Sequence, residues 1–113
     1  MSQAFKPDFS NAFVGRAKTQ DYLLSPKHVK GESKARFFLN AGFDSEQWQV
    51  LERALIVHAQ THPVSRKSDS PFGVKYTIDG EFVTPSGKKP RVRTVWMVPN
   101  STQQLRFVTS YPL

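Results

Sequence analysis

The 113-residue chain has no cysteine. That excludes disulfide scaffolds, thiol nucleophiles and cysteine-built zinc sites, and it leaves the redox compartment open. No apolar run approaches the roughly 18 residues that a membrane-spanning helix needs. The opening Met1-Ser2-Gln3-Ala4-Phe5-Lys6 has no basic stretch followed by an apolar one, so it does not read as a secretory signal. There is no internal repeat and no low-complexity tract. Acidic residues are scarce as well. Glu32, Glu46, Glu52 and Glu81 show no spacing that suggests paired carboxylate chemistry. No Gly-x-Ser-x-Gly elbow occurs, and no glycine-rich phosphate loop follows a strand; Gly87-Lys88-Lys89 falls in a loop between strands.

What remains is a small, basic, aromatic chain. Nine Phe, two Trp and three Tyr are enough for a packed core, and the length suits one domain. Sixteen Lys and Arg against nine Asp and Glu give a net charge of +7. A surplus of this kind suggests an anionic partner: nucleic acid, an acidic protein or a membrane surface. It is uneven along the chain. Residues 1–63 hold eight basic and six acidic side chains, whereas residues 64–113 hold eight and three. The anion-facing surface is therefore expected in the second half.

The patterning divides the chain into an N-terminal arm, 1–15, and one domain, 16–113. In the arm, Phe5, Phe9 and Phe13 recur every four residues, as along one side of a helix that starts late because of Pro7. The arm is expected to pack on the body. A short helix is predicted from Arg16 to Leu24, ended by Ser25-Pro26. A second runs from Ser33 to Ala41, with Gly42 at the left-handed position beyond its end. A third begins after Asp44 or Ser45, carries Trp48, Leu51, Leu55 and Ala59 as its core stripe, and closes at His62-Pro63.

The period then changes to two. Phe72 to Ile78 is expected as a strand, Asp79-Gly80 as a hairpin turn and Glu81 to Val83 as a short return strand. Arg91 to Val98 and Leu105 to Ser110 follow as further strands. The expected fold is α+β, with the N-terminal helices packed on one face of a four-stranded antiparallel sheet. Alternation then brings Lys75, Arg91, Arg93 and Arg106 onto the opposite, open face, where they would suit a phosphate backbone or simply be solvated.

Three histidines offer chemistry. His58 and His62 are four residues apart on one helix, but Ala59 stands where a zincin has glutamate, and no carboxylate completes a metal site. His58 is expected on the helix surface and His62 at the helix end. His28 lies in a basic turn beside Lys27 and Lys30, with Lys34 and Arg36 just after. Positive neighbours lower an imidazole pKa and suit a general base, and Lys34 would stabilise a phosphate transition state. The alternative is a basic surface turn.

The motifs Lys18-x-x-Asp21-Tyr22-Leu23-Leu24, His28-x-x-Gly31-x-x-Lys34-Ala35-x-x-Phe38, Gly42-Phe43, Arg93-Thr94-Val95-Trp96 and Val108-Thr109-Ser110-Tyr111-Pro112 together resemble a small bacterial domain found near prophage genes and at the C-terminal ends of polymorphic toxins. That domain is similar in layout to the barnase, EndoU, colicin and RelE-like toxin ribonucleases. The resemblance spans residues 16–112 and implies cofactor-free RNA cleavage by attack of the ribose 2′-hydroxyl. It matches at His28, Lys34, Thr94, Thr109 and Tyr111. It implies that His28 is the acid or base, that Lys34 and Arg93 hold the phosphate, and that Thr109 or Tyr111 positions the substrate; simple alternation places Thr94 and Thr109 on the helix side instead. RNA, with tRNA as one candidate, would bind at Lys27, Lys30, Arg36, Lys75, Arg91 and Arg106. The implied protein partner is an acidic immunity protein or antitoxin. The implied place of action is the bacterial cytoplasm, the protein's own or that of a target cell. A non-catalytic phage or bacterial inhibitor that engages nucleic acid or an acidic protein is the alternative.

Overall fold

At His62-Pro63, where the hydrophobic period changes, the computed structural model passes from helix to sheet; it describes residues 7–19 and 32–113. The elements in chain order are a 3-10 turn at Phe9–Asn11, one helical turn at Arg16–Lys18 (α1), a helix at Glu32–Asn40 (α2), a 3-10 turn at Ser45–Gln47, a helix at Trp48–Thr61 (α3), and strands Val64–Ser70 (β1), Gly73–Glu81 (β2), Arg91–Pro99 (β3) and Arg106–Pro112 (β4). The strands pair antiparallel as a meander, β1-β2-β3-β4. The chain is thus α+β with a four-stranded antiparallel sheet.

Local sequence explains the helix ends. Gly42 has φ +102°, the left-handed turn that ends α2, and a Cβ there would press on Pro85 and Ser86. The Asp44 side chain accepts a hydrogen bond from the Glu46 N–H at 2.9 Å. The turn it caps is 3-10, so α3 proper begins at Trp48. At the far end of α3 the His62 Nδ1–H donates to the His58 carbonyl at 2.8 Å and closes the last turn. The helix expected over 16–24 shows its first turn, Arg16–Lys18; residues 20–31 lie outside the described residues.

Leu51, Leu55 and Ala59 of α3 share one core with Phe38 and Phe43, with Tyr76, Ile78 and Phe82, and with Val92, Trp96 and Phe107. Edge-to-face ring contacts organise it: Trp96 meets Phe9 at 5.2 Å and Phe107 at 5.3 Å, and Phe38 meets Phe82 at 6.0 Å. Residues 8–14 do not form the helical stripe expected of them. Phe9 is 2% exposed and Phe13 is 51% exposed. Phe13 instead lies extended beside β4, its N–H donating to the Leu105 carbonyl at 2.9 Å and its carbonyl accepting from Phe107 N–H at 2.8 Å. Burial of Phe9 and pairing at Phe13 cannot both be met on one helical face.

Four strand expectations need correction. The polar segment Val64–Ser70 is a strand, and the hairpin turn that follows it is Pro71-Phe72. Asp79 and Gly80 are not a turn but lie within β2, opposite Arg93 and Val92. Glu81 ends β2, so no separate return strand occurs at 81–83. The glycine is there for another reason: a Cβ on Gly80 would collide with the His62 ring. Lastly, the β3–β4 register shifts by one between Val95 and Trp96, which pair with Thr109 and Phe107. Val108 is the extra residue of this bulge. It reverses the alternation, so Thr109 and Tyr111 leave the side that Leu105 and Phe107 occupy.

Candidate nucleic-acid interface

The register sets out the side of the sheet away from the buried even-numbered residues of β3. Three rows cross the strands there. Asp79, Arg93 and Tyr111 form the first; Arg66, Thr77, Val95 and Thr109 the second; Ser68, Lys75, Met97 and Arg106 the third. Rows are about 7 Å apart, two residues along a strand. A groove of about 470 Å³ lies over them, lined by Arg66, Lys75 and Arg93 together with Ser65, Ser68, Thr77, Asp79, Val95 and Tyr111. Among the described residues, three cations, three aliphatic hydroxyls beside a phenol, and a single carboxylate thus line one concave surface.

The first row is tightly built. Arg93 donates to Asp79 through both Nε–H and one Nη, at 2.8 and 2.9 Å, a parallel two-bond pair. The Arg93 hydrogen bond holds the Asp79 carboxyl below its usual range, while partial burial opposes that shift. Hydrogen bonds from Arg93 to Asp79 and then to Tyr111 raise the guanidinium pKa further above its already high value. The Arg93 Cζ also lies 5.9 Å from the centre of the Tyr111 ring. On the other side, the Asp79 N–H donates to Ser65 Oγ at 3.1 Å, where β1 bulges.

Beneath this row sits His58. The sequence pattern puts it on the helix surface, but it is 2% exposed. Its Nε2 lies 3.2 Å from the Gly80 carbonyl and 3.1 Å from that of Val92, and its Nδ1 lies 3.1 Å from Thr94 Oγ1. Two carbonyls require Nε2 to carry the hydrogen, so Nδ1 accepts from the threonine hydroxyl. Burial lowers the His58 pKa from 6.5 to about 4, outweighing the two carbonyls that favour the cation. The imidazole is therefore a neutral bracket between α3, β2 and β3, and its ring is committed to the sheet. Thr94 is wholly buried in the same arrangement.

The sequence-predicted residues fare differently. Lys75, Arg93 and Tyr111 meet in the groove. Thr109 lies in the middle row, turned there by the bulge. Arg91 is exposed at the β3 end, opposite Glu81, and does not line the groove. Arg106 leans away, its Cζ 5.9 Å from the Phe13 ring centre. The expected convergence of four cations is thus corrected to Lys75 and Arg93, joined by Arg66. Arg36 is exposed on α2, and Lys34 lies in the first turn of that helix. His28, Lys27 and Lys30 lie outside the described residues. Sequence reasoning missed Arg66, Ser65 and Ser68 because the segment holding them has one aliphatic residue. The usable signal was Ser70-Pro71 before Gly73, a turn that would have required a strand on either side.

The family profile described as "Domain of unknown function (DUF6883)" matches residues 6–113. The chain belongs to the DUF6883 family. No curated protein matches it. Among solved structures, the DUF6883 chain is similar to a chain of the "Contact-dependent growth inhibition toxin - immunity protein complex from Klebsiella pneumoniae 342", with a TM-score of 0.69 and 22% identity, over 90% of this chain and 100% of that one. At that identity the likeness establishes a shared fold. Among the described residues of this DUF6883 domain, no helix is long and apolar enough to cross a membrane.

Proposed function

We propose that this domain is a toxin-class ribonuclease that cleaves RNA, tRNA among the candidates, without a metal ion. The observation that carries the reading is the groove: Arg66, Lys75 and Arg93 gathered over a sheet face that also offers hydroxyls and a phenol. Phosphates would bind the cations, while Thr109 and Tyr111 position the ribose and base. The 2′-hydroxyl attacks the adjacent phosphorus, its proton passes to a base, the bond to the 5′-oxygen breaks, and an acid protonates that oxygen. The products are a 2′,3′-cyclic phosphate and a 5′-hydroxyl. His28 takes the acid or base role, and Lys34 and Arg93 stabilise the negative charge on the phosphorane oxygens. Lys27, Lys30, Arg36, Arg91 and Arg106 extend the cationic surface beyond the groove.

The shared fold with a chain from a growth-inhibition toxin–immunity complex supports a role in such a system. With a net charge of +7, this chain fits the toxin side, held by an acidic immunity protein or antitoxin through steered association. Action would then fall in a bacterial cytoplasm, its own or that of a target cell. The second reading, a non-catalytic or immunity-like binder, draws on Asp79, which already occupies one edge of Arg93.

Incubating the protein with total tRNA in EDTA tests both. Cleavage with cyclic-phosphate ends, lost in a folded His28→Ala variant, is the expected result. Intact RNA with wild type, despite measurable binding, would favour the binder.

A further inference from the structure

We infer that Asp79 is a positioning residue of the groove, fixing the Arg93 guanidinium by its side edge so that its end edge meets the scissile phosphate beside Tyr111. The inference rests on the ribonuclease reading above and adds a residue that reading does not use. Among the described residues, Asp79 is the single carboxylate lining the groove. An anion there weakens attraction for RNA, so its effect on binding alone is unfavourable.

Its geometry shows what it supplies. A guanidinium has two forks that can grip a planar or tetrahedral anion: the side edge, made of Nε and one Nη, and the end edge, made of both Nη. Asp79 takes the side edge, with bonds of 2.8 and 2.9 Å. That leaves the end edge for a substrate, beside the Tyr111 ring, whose centre lies 5.9 Å from the Arg93 Cζ. An arginine on its flexible stem would otherwise sample many directions; held this way, it is aimed before substrate arrives.

Asp79 is itself anchored from three sides. Its N–H is held by Ser65 Oγ at 3.1 Å. Its neighbour Gly80 has its carbonyl held by His58 at 3.2 Å. The His62 ring lies over the Gly80 Cα, leaving no room for a side chain. The backbone that carries the carboxylate is thus pinned to α3, and Arg93 holds the carboxylate itself. Asp79, Arg93 and Tyr111 lie directly opposite one another across three strands. The row therefore behaves as one unit that lowers ground-state affinity and improves alignment in the transition state.

The test separates binding from turnover. Wild type, Asp79→Asn, Asp79→Glu and Arg93→Lys are compared in EDTA on a cleavable RNA oligonucleotide and on its uncleavable 2′-O-methyl counterpart, with circular dichroism to confirm folding. Asp79→Asn is expected to bind the 2′-O-methyl oligonucleotide at least as tightly as wild type. Yet it should cleave the RNA at least tenfold more slowly at saturation. Asp79→Glu should recover part of that rate. Arg93→Lys, which keeps the charge and loses the fork, should show the same loss of kcat; if Asp79→Asn fails to fold, Asp79→Ser, which also removes the carboxylate, carries the test. Wild type cleaving while Asp79→Asn cleaves as fast or faster overturns the inference alone. Wild type leaving the RNA whole overturns the ribonuclease reading, and the inference with it.

Discussion

His58 shows how one buried side chain ties the stability of this domain to pH. In the folded chain its pKa is lowered to about 4, chiefly by burial, with His62 4.8 Å away adding to the effect and Asp79 opposing it. In the unfolded chain the ring titrates near its usual 6.5. Between those two values the unfolded state binds more protons, so acid favours unfolding. The contribution is complete above pH 6.5 and is lost as the pH falls toward 4. Each pH step of one crossed in that window removes about 1.4 kcal/mol, so roughly 2 kcal/mol should disappear between pH 7.5 and pH 5. The Asp79–Arg93 pair acts in the same direction but in a lower window, because the Asp79 carboxyl already sits below 3.8. Urea unfolding at both pH values would show the His58 loss directly. A midpoint unchanged over that range in wild type, or an identical loss in a folded His58→Gln variant, would mean that this ring is not the cause.

At the scale of elements, the segment before α1 belongs to the core through one residue and to the sheet edge through another. Phe9 packs edge-on against Trp96, while Phe13 contributes backbone hydrogen bonds beside β4 and leaves its ring half in solvent. Phe9→Ala should therefore cost about 3–5 kcal/mol, the range for truncating a buried phenylalanine. Phe13→Ala keeps the backbone bonds and should cost under about 1 kcal/mol, the contact with Arg106 included. Equal losses in thermal or urea unfolding would contradict the division of labour. Nothing in the four-residue spacing of the phenylalanines distinguishes these roles, because pairing with β4 is set by tertiary contact. The same limit explains the rest of the comparison between sequence and structure. The stripe Leu51, Leu55, Ala59 was legible because α3 buries a regular face. Most of β3 was legible because it is a run rich in β-branched and aromatic residues bounded by Pro90 and Pro99. β1 was hidden because an edge strand exposed on both sides has no reason to alternate. The bulge at Val108 was hidden because an inserted residue leaves no mark in composition, yet it decides that Thr109 and Tyr111 share a surface with Arg93. Asp79-Gly80 misled for a physical reason: a glycine that makes room for His62 looks identical to a glycine that makes a turn.

For the whole molecule, the proposed reading raises the question whether RNA would respond to the net charge of +7 or to where that charge is concentrated. Beyond about 8–10 Å, exposed charges are screened at ordinary ionic strength, so a domain of this size does not present its charge as a single point. Arg66 and Lys75 line the groove, whereas Lys88 and Lys89 sit in the loop after β2, against a separate depression with Phe37 and Pro90. Each pair carries two positive charges, and removing either lowers the net charge by the same amount. If phosphates occupy the groove, the Arg66→Ala/Lys75→Ala variant releases fewer counterions on binding. Its slope of log affinity against log salt, for a 2′-O-methyl oligonucleotide, should then be shallower than wild type by about 1.4, or about 0.7 per lost contact with a single strand. The Lys88→Ala/Lys89→Ala variant should keep most of the wild-type slope and lose affinity only modestly, through the weaker long-range field. Equal flattening by both pairs would show that RNA is drawn to the basic surface at large, and the groove would lose its claim to be the interface.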